Sequence, residues 1–183
     1  MSLSTSGKVS LVSNAVALAA IGLLWSGFQA SPPLPYAVHK MLHIVGVIVF
    51  MGNLIAGPVW VMLAFFAKDR AAMAFAARSV AAADIALTAP GIQLTVWNGV
   101  CLAAALGGAK AQPWIVESLF LLVVTSLLGV VVLYFQERFV EVAQGEDDAA
   151  TFRALIQWSI WGTLVSVPFG LVGWLMVSKQ SLF

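Results

Sequence analysis

The chain is predicted to be an all-α, polytopic membrane protein, a transmembrane helical bundle of about five spans. Three observations predict it. Of 183 residues, 61% are hydrophobic and only 9% charged, with a mean hydropathy of +0.98; a soluble domain carries roughly 25% charged residues. So few charges cannot clothe a water-facing surface, so lipid must cover much of it. Five windows hold the roughly 20 mostly apolar residues a helix needs to cross the hydrocarbon core. Lipid-facing backbone must also hydrogen-bond to itself, and no run of short alternating strands signals a barrel.

The spans are taken in order, as one domain covering residues 1–183. The first, 9–28, follows Lys8. Its apolar stretch is long, and a Pro-rich segment follows it in place of a small-residue cleavage site, so it reads as a retained span and not as a signal peptide. The second is 41–67, the third 86–106, the fourth 114–135 and the fifth 154–177. Pro32, Pro33 and Pro35 make 29–36 a short extended turn. Segment 68–83 is alanine-rich with Arg70 and Arg78, a helix lying at the surface or rising from it. Pro90 then kinks or restarts the chain. Residues 107–113 form a turn. Segment 136–151, with Glu137, Arg138, Glu141, Glu146, Asp147 and Asp148, reads as a solvated loop. There is no internal repeat.

Lys and Arg counts set the expected orientation. Lys8, Lys68, Arg70, Arg78, Arg138 and Arg153 fall on one side, and Lys40, Lys110 and Lys179 on the other. Positive charge favours the cytoplasm, which puts the N-terminus inside and the C-terminus in the periplasm of a bacterial inner membrane. Trp25, Trp114 and Trp174 would mark the outer interface, and Trp60, Trp158 and Trp161 the inner one. The net charge is +1 and no Lys/Arg-rich run exists, so no nucleic-acid partner is expected. The lone Cys101 cannot form an internal disulfide and reads as a small buried thiol.

Two histidines, His39 and His43, stand four apart and project from one face of the second helix. Gly46, Phe50, Asn53 and Gly57 continue that face. Polar groups in hydrocarbon turn toward the bundle interior, and glycines there admit another helix or a flat ligand. An i, i+4 histidine pair can chelate a metal ion, or one imidazole can ligate haem iron; both can equally be interfacial caps. Two neighbours on one helix cannot sandwich a porphyrin, so a bis-histidine haem needs a second subunit. Gly46, one turn beyond His43, would floor a porphyrin. Glu117, early in the fourth span, could pair with Lys40, bond an imidazole, or ligate a metal. Asn53, Gln93, Thr95 and Asn98 are read as interhelical hydrogen-bonding groups, and Asp84 as a helix-terminus group or a partner of Arg78. Thr163, Ser166, Gly170 and Gly173 form a close-packing stripe. Phosphate loops, nucleophile elbows and paired catalytic carboxylates are absent from the sequence.

The segments His39-Lys-Met-Leu-His-Ile-Val-Gly, Ala77-Arg-Ser-Val-Ala-Ala-Ala-Asp84, Thr88-Ala-Pro90 and Trp174-Leu-Met-Val-Ser-Lys179 resemble domain-of-unknown-function family 2269, a bacterial family of predicted integral membrane proteins. That family is similar in turn to copper-resistance-D-like proteins and to haem-containing protoporphyrinogen-oxidase-like proteins, whose first shared helix carries a Leu-His motif. The resemblance makes Leu42-His43 the matching position. The chain departs from the pattern in an extra N-terminal span and in having histidines on one helix only.

The leading expectation is a haem b or copper site near the periplasmic face, with His43 as primary ligand and His39 and Glu117 assisting, for electron transfer or porphyrin or copper handling. The alternatives are a non-catalytic accessory subunit of a larger membrane complex or homo-oligomer, and a small-solute or proton carrier. Five spans without an inverted repeat speak against a standard transporter.

Overall fold

The computed structural model describes residues 3–29 and 31–182. Ala30, in the Pro-rich turn, lies outside the described residues. Six α-helices follow one another: α1 (Thr5–Trp25), α2 (Tyr36–Ala67), α3 (Arg70–Ala83), α4 (Ala89–Ala105), α5 (Pro113–Val142) and α6 (Asp148–Ser178). A π-helical turn, Asp84–Thr88, fuses α3 to α4 into one rod of 36 residues. Among the described residues, five rods are long and apolar enough to cross a membrane. Their outward side chains are apolar: Ile48, Ile55, Leu127 and Val167 are each at least 60% exposed. In water each would forgo about 1.5–3 kcal/mol of burial energy; in acyl chains none does.

Local chemistry starts and stops the rods. Ser4 caps α1 by accepting from Gly7 N–H (3.0 Å). Lys68 ends α2 in the left-handed region (φ 53°), and Asp69 at once caps α3, accepting from Ala71 and Ala72 N–H (2.8 and 3.3 Å). Asp147 caps α6 through Ala150 N–H (2.9 Å). The exposed Arg70–Asp148 pair (2.7 Å) links the starts of α3 and α6.

Two expectations change here. The chain does not restart at Pro90, since helix runs on from Arg70 to Ala105. The N–H of Ala89 instead bonds the carbonyl of Asp84, five residues back. Pro90 has no N–H to offer the ladder, and a wide turn just ahead of it absorbs the mismatch without a break. Segment 136–151 is also no solvated loop. Helix α5 runs to Val142 and α6 begins at Asp148, because Gln136, Glu137 and Phe139 are buried. Glu137 accepts from the N–H and hydroxyl of Ser4 (2.8 and 2.6 Å), fastening the start of α1 to α5.

The rods outrun the hydrocarbon core. The fused rod is about 54 Å long against a core of about 30 Å. Its excess joins the ends of α5 and α6 in a collar at the N-terminal face. There Val61, Met73, Ala77, Phe139, Leu155 and Trp158 form a buried cluster. Trp158, expected at the inner interface, is buried within this cluster, its ring stacked on Phe139 at 5.6 Å. A second cluster, including Ile21, Leu24, Val100 and Leu119, closes the opposite face.

Helices α2 and α4 meet backbone to backbone. A Cβ built on Gly46 would lie 2.5 Å from Thr95 Oγ1 and 2.8 Å from the Gly91 carbonyl; one on Gly91 would lie 2.7 Å from Phe50 Cβ. The antiparallel register is regular. His39 bonds Asn98, Gly46 meets Gly91, and Asn53 bonds Asp84. Each step of seven residues along α2 is matched by seven back along its partner, the spacing of two helical turns in a supercoiled pair.

This crossing makes a prediction. Gly46→Ala forces a methyl into backbone and should destabilise the protein by about 1–3 kcal/mol in detergent unfolding. Gly170→Ala, with nothing within 4 Å of its Cβ, should be neutral or slightly stabilising.

Candidate functional site

The structure sends the two histidines to different tasks. His39 is 4% exposed. Its Nε2 accepts from the N–H of Leu34 (3.3 Å). A backbone N–H can only donate, so the ring proton sits on Nδ1, which donates to Asn98 Oδ1 (2.7 Å). Asn98 Nδ2 completes the set on the Leu94 carbonyl (2.7 Å). Both ring nitrogens of His39 are therefore spent on holding α2, its preceding turn and α4 together.

His43 is half-buried. Its Nδ1–H donates to the carbonyl of Thr95 (2.7 Å), and its ring lies beside Gly99, where a Cβ would stand 3.3 Å from Cε1. Nε2 has no protein partner among the described residues, and it is not among the buried unpaired atoms, so it reaches the bundle surface. An imidazole fixed by an Nδ1–H to a backbone carbonyl, with Nε2 open, is the usual arrangement of a ligating histidine.

The other expected members lie elsewhere. Gly46 floors no open space, because the backbone of α4 occupies it. Glu117 accepts from the Ser181 hydroxyl and from Leu182 N–H (2.8 Å), tying the C-terminal tail to α5. Among the described residues no group of three His, Cys, Asp or Glu side chains could hold a metal ion, so His39, His43 and Glu117 do not assemble into one. A ligand at His43 would have a single imidazole from this chain.

At the other end of the α2–α4 register lies a cluster that the sequence reading understates. Asp84 opens the π turn, and among the described residues no hydrogen bond or ion pair to Arg78 holds it. Its Oδ1 accepts from Asn53 Nδ2 (3.1 Å) and from the Thr88 hydroxyl (2.9 Å). Its Oδ2 accepts from Gln136 Nε2 (2.6 Å), and Gln136 Oε1 accepts from Trp158 Nε1 (3.3 Å). Asn53 also donates to Thr88 Oγ1 (2.7 Å). Gln136 was hidden by the charges that follow it, although Gln136, Phe139 and Ala143 keep helical spacing beyond the fourth span. Asn53, Gln93 and Asn98 make interhelical bonds, Gln93 to the carbonyl and hydroxyl of Ser13 (both 2.8 Å). Asn14 reaches the Ser126 carbonyl (2.9 Å). The hydroxyl of Thr95 is buried and has no hydrogen-bond partner among the described residues.

A family model described as "Predicted integral membrane protein (DUF2269)" matches residues 37–180. The match takes in α2 to α6 and leaves α1 outside. No curated protein and no solved structure matches the chain.

The His39 assignment predicts a cost for losing its partner. Asn98→Leu strands a buried ring N–H and should lower stability by about 1–3 kcal/mol. Combining it with His39→Leu should recover part of that loss in the same unfolding assay.

Proposed function

The chain belongs to the DUF2269 family of predicted integral membrane proteins, and from that premise we propose that it binds haem b or a copper ion through His43, for electron transfer or for porphyrin or copper handling. The observation that carries this reading is the His43 ring, pinned through Nδ1–H to the Thr95 carbonyl with Nε2 open at the bundle surface. Bound haem or copper would supply a one-electron centre. His43 would hold it, and Thr95 and Gly99 would set the ring's tilt. His39 and Gly46 serve the α2–α4 contact beneath. A second imidazole on the far side of a porphyrin would come from another subunit.

His43 lies two turns from the start of α2, on the face holding Lys40, Lys110 and Lys179. The other six Lys and Arg residues belong to the N-terminal face. The excess of cations on the N-terminal face supports a reading in which that face lies in the cytoplasm of a bacterial inner membrane and His43 lies near the periplasm.

A second reading, an accessory subunit of a larger membrane complex, draws on a different observation. Gly162, Gly170 and Gly173 on α6 have nothing within 4 Å of a Cβ position, so this small-residue face is not used inside the chain.

Visible spectroscopy of the purified protein separates the readings. Titrating haemin into wild type and His39→Gln should produce a Soret band. His43→Ala should weaken haemin binding at least about tenfold, the scale on which perturbing a ligand shell shows. If no protein gives a band and metal analysis finds no copper that depends on His43, the ligand reading fails and co-purification of partner subunits tests the second.

A further inference from the structure

We propose that Asp84 is a proton-binding site within the bundle, at which Asn53 turns from a donor to the carboxylate into an acceptor from the carboxylic acid. This is independent of His43 ligation, because the two sites occupy opposite ends of the α2–α4 contact.

The first support is the absence of a counter-charge. Three neutral donors, Asn53, Thr88 and Gln136, hold the Asp84 carboxylate, and it makes no ion pair among the described residues. The charged groups nearest by position on the surrounding elements are Lys8 on α1, Arg78 on α3 and Glu137 on α5. Glu137 is engaged with Ser4. Helix α4 carries no charged residue, and those of α2, Lys40 and its two histidines, lie toward the opposite face. Helix α6 reaches the site through Trp158, and its charged residue nearest in sequence, Arg153, is exposed. An uncompensated carboxylate in a membrane span is costly, and taking up a proton removes the charge.

The second support is an orphaned atom. Asn53 is 4% exposed, yet its Oδ1 is buried without a partner among the described residues. Facing a carboxylate, the amide must present Nδ2, which strands Oδ1. Facing a carboxylic acid, the same amide turned over presents Oδ1 to the acid's O–H. The orphan is thus the unused half of a reversible hydrogen bond.

Gln136 cannot turn in the same way, because Trp158 holds its Oε1. It remains a donor to Oδ2, so the proton resides on Oδ1, beside Asn53 and Thr88. The proton comes from water on the N-terminal face, the nearer end of the rod at about 21 Å along the helix against about 32 Å to the other. It forms one O–H bond and changes no oxidation state.

Infrared pH-difference spectra of the detergent-purified protein test this. On acidification, wild type should gain a carboxylic-acid carbonyl band distinct from that of its exposed carboxylates. Glu137→Gln should keep the band and Asp84→Asn should lose it. Asn53→Val should move its midpoint by about tenfold in proton concentration. This arm decides the matter even if Asp84→Asn does not fold. A wild-type spectrum without the band, a band surviving in Asp84→Asn, or a midpoint unmoved in Asn53→Val overturns the proposal.

Discussion

The contact between Gly46 and Gly91 sets the register on which the polar chemistry of this bundle depends. Between helices in lipid there is little hydrophobic drive, so association rests on close packing and hydrogen bonds. Two glycines opposite one another let the backbones of α2 and α4 meet, where a Cβ on Gly91 would stand 2.9 Å from the Gly46 carbonyl. Once that point is fixed, the seven-residue spacing carries His39 to Asn98 on one side and Asn53 to Asp84 on the other. A slip by one residue would strand both pairs at once, each with buried polar atoms.

The same register divides the labour of the polar residues. His39, within the seam, is consumed by structure. His43, one turn on, leans against α4 through Thr95 and keeps one nitrogen outward. Toward the N-terminal face the seam ends in a carboxylate, and the π turn is what delivers it. The wide turn and Pro90 interrupt the regular ladder where Asp84 and Thr88 must both face Asn53. Gln136 and Trp158 extend the connection, so side chains from α2, the fused rod, α5 and α6 meet around one carboxyl group.

Helices α5 and α6 complete the bundle differently. They pack mainly against each other, with Phe135 stacked on Trp161 (6.0 Å) and Phe139 on Trp158. Helix α6 also meets α2 through aromatic rings, with Phe50 meeting Phe169 edge-on at 4.8 Å and Phe65 stacked on Phe152. Much of their length faces outward, and the open glycines of α6 lie there. The collar at the N-terminal face supplies the firmer packing, since Val61, Ala77, Phe139 and Leu155 are each nearly inaccessible.

The sequence by itself determined the five spans, the all-helical class and the uneven distribution of Lys and Arg. These follow from the length of apolar runs measured against a bilayer, a property each segment carries alone. It also marked the polar face of α2, since the spacing of His39, His43, Gly46 and Asn53 is helical arithmetic. Only the tertiary structure decided what that face does: that Gly46 seats a helix, that His39 has no nitrogen to spare while His43 has one, that Glu117 holds the tail, and that Gln136 belongs to Asp84. Periodicity specifies which residues share a side of a helix. Which atom they meet depends on interhelical register and side-chain rotation, which arise only when the rods pack together.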